Sequence, residues 1–295
     1  MRKVNLIFIF IFFISCSNKE NTGSSKKNES VIEYKSIVAA GGSITEILYF
    51  LGQEDKIKAV DVTSVYPKEA LKKPKIGYVR NLSVEGILSL SPDLVIGEDD
   101  MGPPNVISQL KKLKVNLKII DEIQTPQGIL EKIYNVAKIL NVEKTAKKIV
   151  NDNLITSVKE LKKISKENTI SEKNKAVLIL SMEGTSPIIA GANTGGNSFI
   201  EMIGAENVYS QIEGWKQVSI ESILEINPDY IILPQRDVHK NSNISLFTNN
   251  PSISKTNAAL NNNFITDDSM AILGFGPRTI TSALYAAKKI NADIY

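Results

Sequence analysis

The segment Gly77-Tyr78-Val79-Arg80 carries the most specific chemistry in the chain. It lies in a turn after Pro74 and ahead of a helix that Ser83 can open. A glycine lets the backbone turn sharply, so the side chains that follow can project from the turn. A tyrosine phenolate is a hard oxygen ligand for ferric iron, haem iron included. Tyrosine is ordinarily neutral near pH 7. Binding as the phenolate needs the metal and a nearby cation to favour the charged form, and Arg80 stands two residues on. A half-buried loop tyrosine beside an exposed arginine is the plainer reading of the same spacing. The second dense segment is Leu273-Gly274-Phe275-Gly276-Pro277-Arg278. Its glycines and proline fix a tight loop just before the last helix. Phe275 can pack on a flat ligand, and Arg278 can pair with a carboxylate or a phenolate through its planar guanidinium. A helix-start loop with a surface arginine fits this spacing too.

Other chemistry is excluded. The chain has one histidine, His239, so neither a catalytic triad nor a multi-histidine metal site can be built. It has no Gly-x-Ser-x-Gly elbow and no Gly-Lys-Ser/Thr phosphate loop. Gly191-Ala192-Asn193-Thr194-Gly195-Gly196 lacks the lysine and reads as a loop before a helix at Ser198. These absences argue against an enzyme. Basic residues number 35 and acidic ones 32, and removing Arg2 and Lys3 brings the charge near zero. A nucleic-acid binder would show a clustered basic face. The lysines within 111–118 and 159–166 read as solvated helix faces.

The elements that must position Tyr78 and Arg278 follow an α/β pattern, with short apolar strands at 36–40, 57–60, 94–96 and 117–120 alternating with helices. A second run begins with a strand at 176–180 and ends with a helix over 279–291. The two runs are related. Ser83-Val84-Glu85-Gly86-Ile87-Leu88-Ser89-Leu90-Ser91-Pro92-Asp93 is echoed by Ser219-Ile220-Glu221-Ser222-Ile223-Leu224-Glu225-Ile226-Asn227-Pro228-Asp229, with a strand after each. Thr45-Glu46-Ile47 with Gly52 precedes the first copy, and Ile200-Glu201-Met202 with Gly204 precedes the second. Two long units indicate paired lobes rather than a solenoid of short repeats, and the cleft between two lobes is where a ligand binds. Between them, Ala146, Ile149, Val150, Leu154, Val158, Leu161 and Ile164 recur at helical spacing. The spacing predicts one stiff helix over 143–165, about 35 Å long. The expected fold is two Rossmann-like α/β lobes, 34–125 and 173–295, joined by a long rigid helical connector at 126–172.

The start of the chain stands apart. Arg2 and Lys3 precede an apolar run from Leu6 to Ile14, too short to span a bilayer. Residues 1–15 read as a lipoprotein signal, with the only cysteine, Cys16, as the lipidated first residue of the mature chain. The polar stretch 16–33 reads as a disordered tether. The expected location is the bacterial cell envelope, lipid-anchored on its periplasmic or cell-surface side and not spanning a membrane.

These segments, with Ala40-Gly41-Gly42-Ser43-Ile44-Thr45-Glu46 and Gly102-Pro103-Pro104, resemble a known family. The chain is similar to the haem-binding lipoproteins and periplasmic proteins of bacterial ABC haem importers, in the same class as cobalamin- and siderophore-binding proteins. The resemblance implies a non-enzymatic, monomeric receptor that carries haem as its transported ligand to a permease and its ATPase. A ferric siderophore or cobalamin is the alternative ligand. The resemblance further implies that Tyr78 binds the haem iron, that Arg278 hydrogen-bonds the phenolate, and that Arg80 assists the phenolate or a propionate. Met101, Met182, Trp215 and Phe275 are the implied apolar wall. Some relatives carry a second-lobe histidine where this chain has Met182 and Glu183, so the expectation is five-coordinate iron. Glu85 and Glu221 match the residues that dock onto permease arginines, and each also suits the first turn of a Ser-capped helix.

Overall fold

The computed structural model describes residues 33–167, 173–183, 186–235, 247 and 249–292. The expected signal segment, Cys16, nearly all of the tether, and His239 lie outside them. Short strands make the sheet and the hairpin of the first lobe, and those of the sheet are rich in Ile and Val. The strands are β1 (Ile37–Ala40), β2 (Ile57–Val60), β3 (Gly77–Tyr78), β4 (Asn81–Leu82), β5 (Leu94–Glu98) and β6 (Leu117–Ile120). Every residue of β1 and β5 is buried, the mark of parallel strands covered on both faces. The sheet is parallel in the order β2-β1-β5-β6, and β3 and β4 form a separate antiparallel hairpin. The lobe's helices are α1 (Gly42–Phe50), α2 (Val84–Leu88) and α3 (Pro104–Lys112).

The connector holds α4 (Pro126–Ile139), α5 (Glu143–Asn153) and α6 (Ile155–Glu167). The single helix expected over 143–165 is therefore corrected: it breaks at Leu154, whose φ of −121° lies outside helical geometry. The Asn153 side-chain amide donates to the Ile149 carbonyl at 2.7 Å. That carbonyl would otherwise serve the helical ladder, a competition short polar side chains are known for.

The second lobe contains β7 (Lys175–Glu183), β8 (Ser186–Ala190), α7 (Gly195–Met202), β9 (Glu206–Asn207), β10 (Trp215–Gln217), α8 (Ile220–Ile226), β11 (Tyr230–Gln235), α9 (Asn257–Leu260), β12 (Phe264–Asp268), α10 (Ser269–Leu273) and α11 (Pro277–Ile290). Its parallel frame, β9-β7-β11-β12, repeats that of the first lobe. The sequence echo has a structural counterpart in each lobe. Ser83 Oγ accepts the Gly86 N–H at 2.8 Å and Ser219 Oγ the Ser222 N–H at 3.1 Å, so both echoed helices are capped alike. The Asp93 carboxylate accepts the N–H groups of Lys35 and Ser36 just ahead of β1, and Asp229 accepts that of Lys175 at the start of β7. Each Pro-Asp pair thus ties its strand to the neighbouring strand of its own sheet. The second lobe adds antiparallel β8 and β10, which turn its sheet mixed.

One apolar cluster runs through both lobes and the connector. It joins Ile44 and Ile47 of α1, Ile133 and Val136 of α4, Leu161 and Ile164 of α6, Phe199 of α7, and Ile280 and Ala287 of α11. Two smaller clusters each belong to one lobe.

Candidate functional site

The β3–β4 hairpin pairs Gly77 with Leu82 and Tyr78 with Asn81. Gly77 has φ +96°, a conformation that L side chains rarely adopt, which accounts for the glycine ahead of the tyrosine. The hairpin is pinned on both sides. Gly77 O accepts the Val62 N–H at 2.9 Å, Val79 O accepts that of Gly102 at 3.0 Å, and Gly102 O accepts that of Leu82 at 2.9 Å. Beneath it Ile76, Val79, Leu82 and Met101 join one apolar cluster. Alternation then leaves Tyr78 and Arg80 outward. Tyr78 is 45 % exposed. Arg80 Nε donates to Asp100 at 2.9 Å, and this hydrogen bond holds the guanidinium above its ordinary pKa.

Exposed apolar side chains accompany the hairpin. Val62, bonded through its N–H to Gly77, is exposed, as are Val65 and Tyr66 further along the same loop. The sequence reading missed them because residues 61–67 form a loop with neither strand nor helix period. In the second lobe Trp215 is 37 % exposed, its ring edge lying against Gly196 at the start of α7, and Met182 is half-buried on β7. Met101 is buried under the hairpin, its sulfur packed on Gly97. It supports the hairpin from beneath, which corrects its expected place on a ligand-facing wall.

The two lobes meet where α1 begins and α10 passes into α11. A side chain at Gly42 would come 2.6 Å from Met270 Cε and 2.8 Å from Thr63 O. Gly276 likewise lies against Glu46 and Ser43. Gly42 and Gly276 therefore allow close approach of the lobes. Phe275 is fully buried, with φ +47°, and packs against Gly195. Its expected place on a ligand wall is corrected: it belongs to the shared core. Arg278 is held by other partners in the ligand-free protein. Its backbone N–H and Nε bond Glu46 at 2.7 and 2.8 Å, its Nη2 bonds Asp268 at 3.0 Å, and its guanidinium stacks 3.7 Å from the Tyr66 ring centre. None of these hydrogen bonds goes to Tyr78. Burial pushes the Glu46 carboxyl up despite Arg278. Burial also works against the Arg278 charge, but Glu46 and Asp268 more than offset it.

Below this joint, Lys132 of α4 has a fully buried side chain that pairs with Glu98 and, at 3.0 Å, with Glu122. Burial pushes Glu98 up to about 8. Glu122 also feels its burial, yet Lys132 holds its carboxyl below the usual carboxylate range. Gln124 continues the chain of bonds, donating to Glu122 and accepting from Ser198 of α7 across the lobes. The sequence carried a signal for Lys132, which occupies a core position between Ile129, Ile133 and Val136. Glu85 and Glu221 are exposed in the first turns of α2 and α8.

The paired parallel sheets, the helical connector and the interlobe joint agree with a family model described as periplasmic binding protein, which matches residues 37–271. The chain belongs to the periplasmic binding protein family. Its relatives include an uncharacterised ABC transporter substrate-binding lipoprotein YvrC of Bacillus subtilis, 31 % identical over 75 % of this chain and 69 % of that protein. The vitamin B12-binding protein of Pectobacterium atrosepticum is 25 % identical over 67 % of this chain and 70 % of its own length. Among solved structures, the periplasmic haem-binding protein HutB of Vibrio cholerae is 31 % identical and superposes with a TM-score of 0.69, covering 88 % of this chain and 98 % of that one. This periplasmic binding protein is thus an ABC importer's substrate-binding protein of the cobalamin, siderophore and haem class, and not an enzyme.

Proposed function

We propose that this binding protein captures haem and delivers it to an ABC permease and its ATPase, with Tyr78 as the ligand to the iron. The observation that carries this reading is a tyrosine held exposed on a pinned hairpin, next to Arg80 and bonded to a loop that exposes Val62. Among the described residues no group of three or more His, Cys, Asp or Glu can hold a bare metal ion. A single phenolate suits a metal that arrives already ringed by other donors and keeps an open position, as porphyrin iron does. A ferric siderophore that fills all the iron's positions leaves none for a phenolate. Arg80, held as a cation by Asp100, can serve the phenolate or a propionate. Trp215 and Met182 supply apolar contact from the second lobe.

Cobalamin is the second reading, favoured by the vitamin B12-binding relative. A haemin titration with absorption spectra separates the two. Haemin should bind with a ferric-tyrosinate spectrum that Tyr78→Ala loses, and cobalamin should not compete. Equal haemin binding by both proteins would overturn the ligand assignment, and tighter binding of cobalamin would overturn the substrate.

The remaining parts of the reading are docking and anchoring. Glu85 and Glu221, at equivalent corners of the two copies, would face permease arginines. Cys16 would carry the lipid that anchors the receptor to the cell envelope on its periplasmic or cell-surface side, and mass measurement of the mature N-terminus tests this. No helix among the described residues is long and apolar enough to cross a membrane.

A further inference from the structure

We propose that Arg278 is a positioning residue, a latch across the lobes that fixes the Tyr78 hairpin relative to the second lobe. Only its consequence for ligand binding rests on the haem reading; the latch itself needs no ligand. Arg278 stands in the first turn of α11, and Asp268, at the end of β12 in the same lobe, fixes one edge of its guanidinium. With that edge held, Arg278 grips the first lobe twice. It bonds the buried Glu46 of α1 through two N–H groups, and it stacks on Tyr66 of the loop after β2. The stack and the Nε bond use the planar guanidinium that distinguishes arginine from lysine, whereas the second bond to Glu46 comes from the backbone N–H and does not depend on the side chain.

The grip is transmitted to the hairpin by hydrogen bonds. Thr45 of α1 bonds Ser64 at 2.7 Å. Asp61 accepts from Ser64 Oγ, from the Thr63 N–H and hydroxyl, and from the Gly41 N–H. Val62, in the same loop, donates to Gly77 at 2.9 Å. The start of α1, the loop 61–66 and the Tyr78 hairpin are therefore one bonded piece, and Arg278 ties that piece to α11 and β12. The shared apolar core packs α1 against α11, but the joint is open on the Arg278 side. A cavity of about 450 Å³ lies beside Arg278, lined by Tyr49, Phe50, Tyr66 and Leu154 among others.

Amide hydrogen exchange on the ligand-free protein tests the latch. Arg278→Gln should speed exchange in residues 61–66 and 76–82 by about tenfold, with α8 and β11 unchanged. Arg278→Lys should recover only part of the protection. Asp268→Asn, which can still cap α10, should give a smaller rise in the same segments. Haemin affinity should fall in Arg278→Gln while the absorption band of bound haemin stays in place, because the iron ligand is untouched. Unchanged exchange in those segments would overturn the latch. So would a shifted band at unchanged exchange, which would assign Arg278 to the ligand itself. If Arg278→Gln does not fold, Asp268→Asn decides, and no rise there overturns the proposal. Failure of wild-type protein to bind haemin would sink the haem reading and leave the exchange result standing.

Discussion

Replacing Lys132 with methionine removes the cation from the most deeply buried charge cluster in the fold. Its side chain is fully buried between Glu98 and Glu122. At pH 7 Glu98 holds a proton, since burial has pushed it up to about 8. Glu122 is ionised there, kept so by Lys132 against its own burial. Methionine fills the space of the lysine stem but leaves Glu122 buried without a counter-charge. Relief comes from a second proton. Against the ordinary value of 4.5, that uptake costs about 3.4 kcal/mol at pH 7 and about 0.7 kcal/mol at pH 5. The larger figure agrees with the ~3–5 kcal/mol typical of breaking a buried pair, a large share of the roughly 5–15 kcal/mol that keeps a domain folded. In the variant both carboxyls have folded pKa values above their unfolded ones. Its stability is thus full below about 4.5 and declines as the pH rises. In wild type Glu98 shows the same decline through about 8, while the depressed Glu122 opposes it. The deficit of Lys132→Met should shrink by about 2.7 kcal/mol from pH 7 to pH 5, read from urea unfolding followed by circular dichroism. Adding Glu122→Gln should restore most of it at pH 7. A deficit equal at both pH values, or larger at pH 5, would refute the reasoning.

Two further substitutions separate structural from binding roles. Phe275→Ala should cost about 3–5 kcal/mol in unfolding experiments, because the ring is fully buried in the shared core. The spectrum of bound haemin should not move, whereas a shifted spectrum at near wild-type stability would return Phe275 to the ligand wall. Charge reversal at both Glu85 and Glu221, which are exposed, should leave haemin titrations and thermal unfolding close to wild type while abolishing uptake in cells, and loss of haemin binding would contradict the division between docking and capture.

Wherever one face of an element repeats, the fold was legible in the sequence. The echo of Ser83–Ile96 in Ser219–Ile232 anticipates two parallel frames, because Ser caps, Pro ends a helix, and Asp ties adjacent strands in both copies. The break at Leu154 was not legible, since the apolar spacing continues through it and a single polar side chain, Asn153, competes for a carbonyl there. The β8–β10 addition was missed because it has no counterpart in the first lobe, and β12, the counterpart of β6, because it lies outside the echoed segment. At the site, Gly77 and Tyr78 could be read from local turn chemistry alone. Arg278 and Phe275 could not be placed that way. Their surroundings come from Glu46, Tyr66 and Gly195, which are distant in sequence and close only after the lobes meet.

The apolar cluster that runs from α1 through the connector to α11 has a consequence for the molecule as a material. The frame is duplicated, but the core is held in common. Cutting the chain in the connector would strip Ile44 and Ile47 of partners on one side and Phe199 and Ile280 on the other. Each half would keep its own smaller cluster but lose the one that is shared. The two lobes should therefore melt in one calorimetric transition whose van't Hoff enthalpy equals that of the whole, so the repeat is an inheritance of shape and not of independent stability.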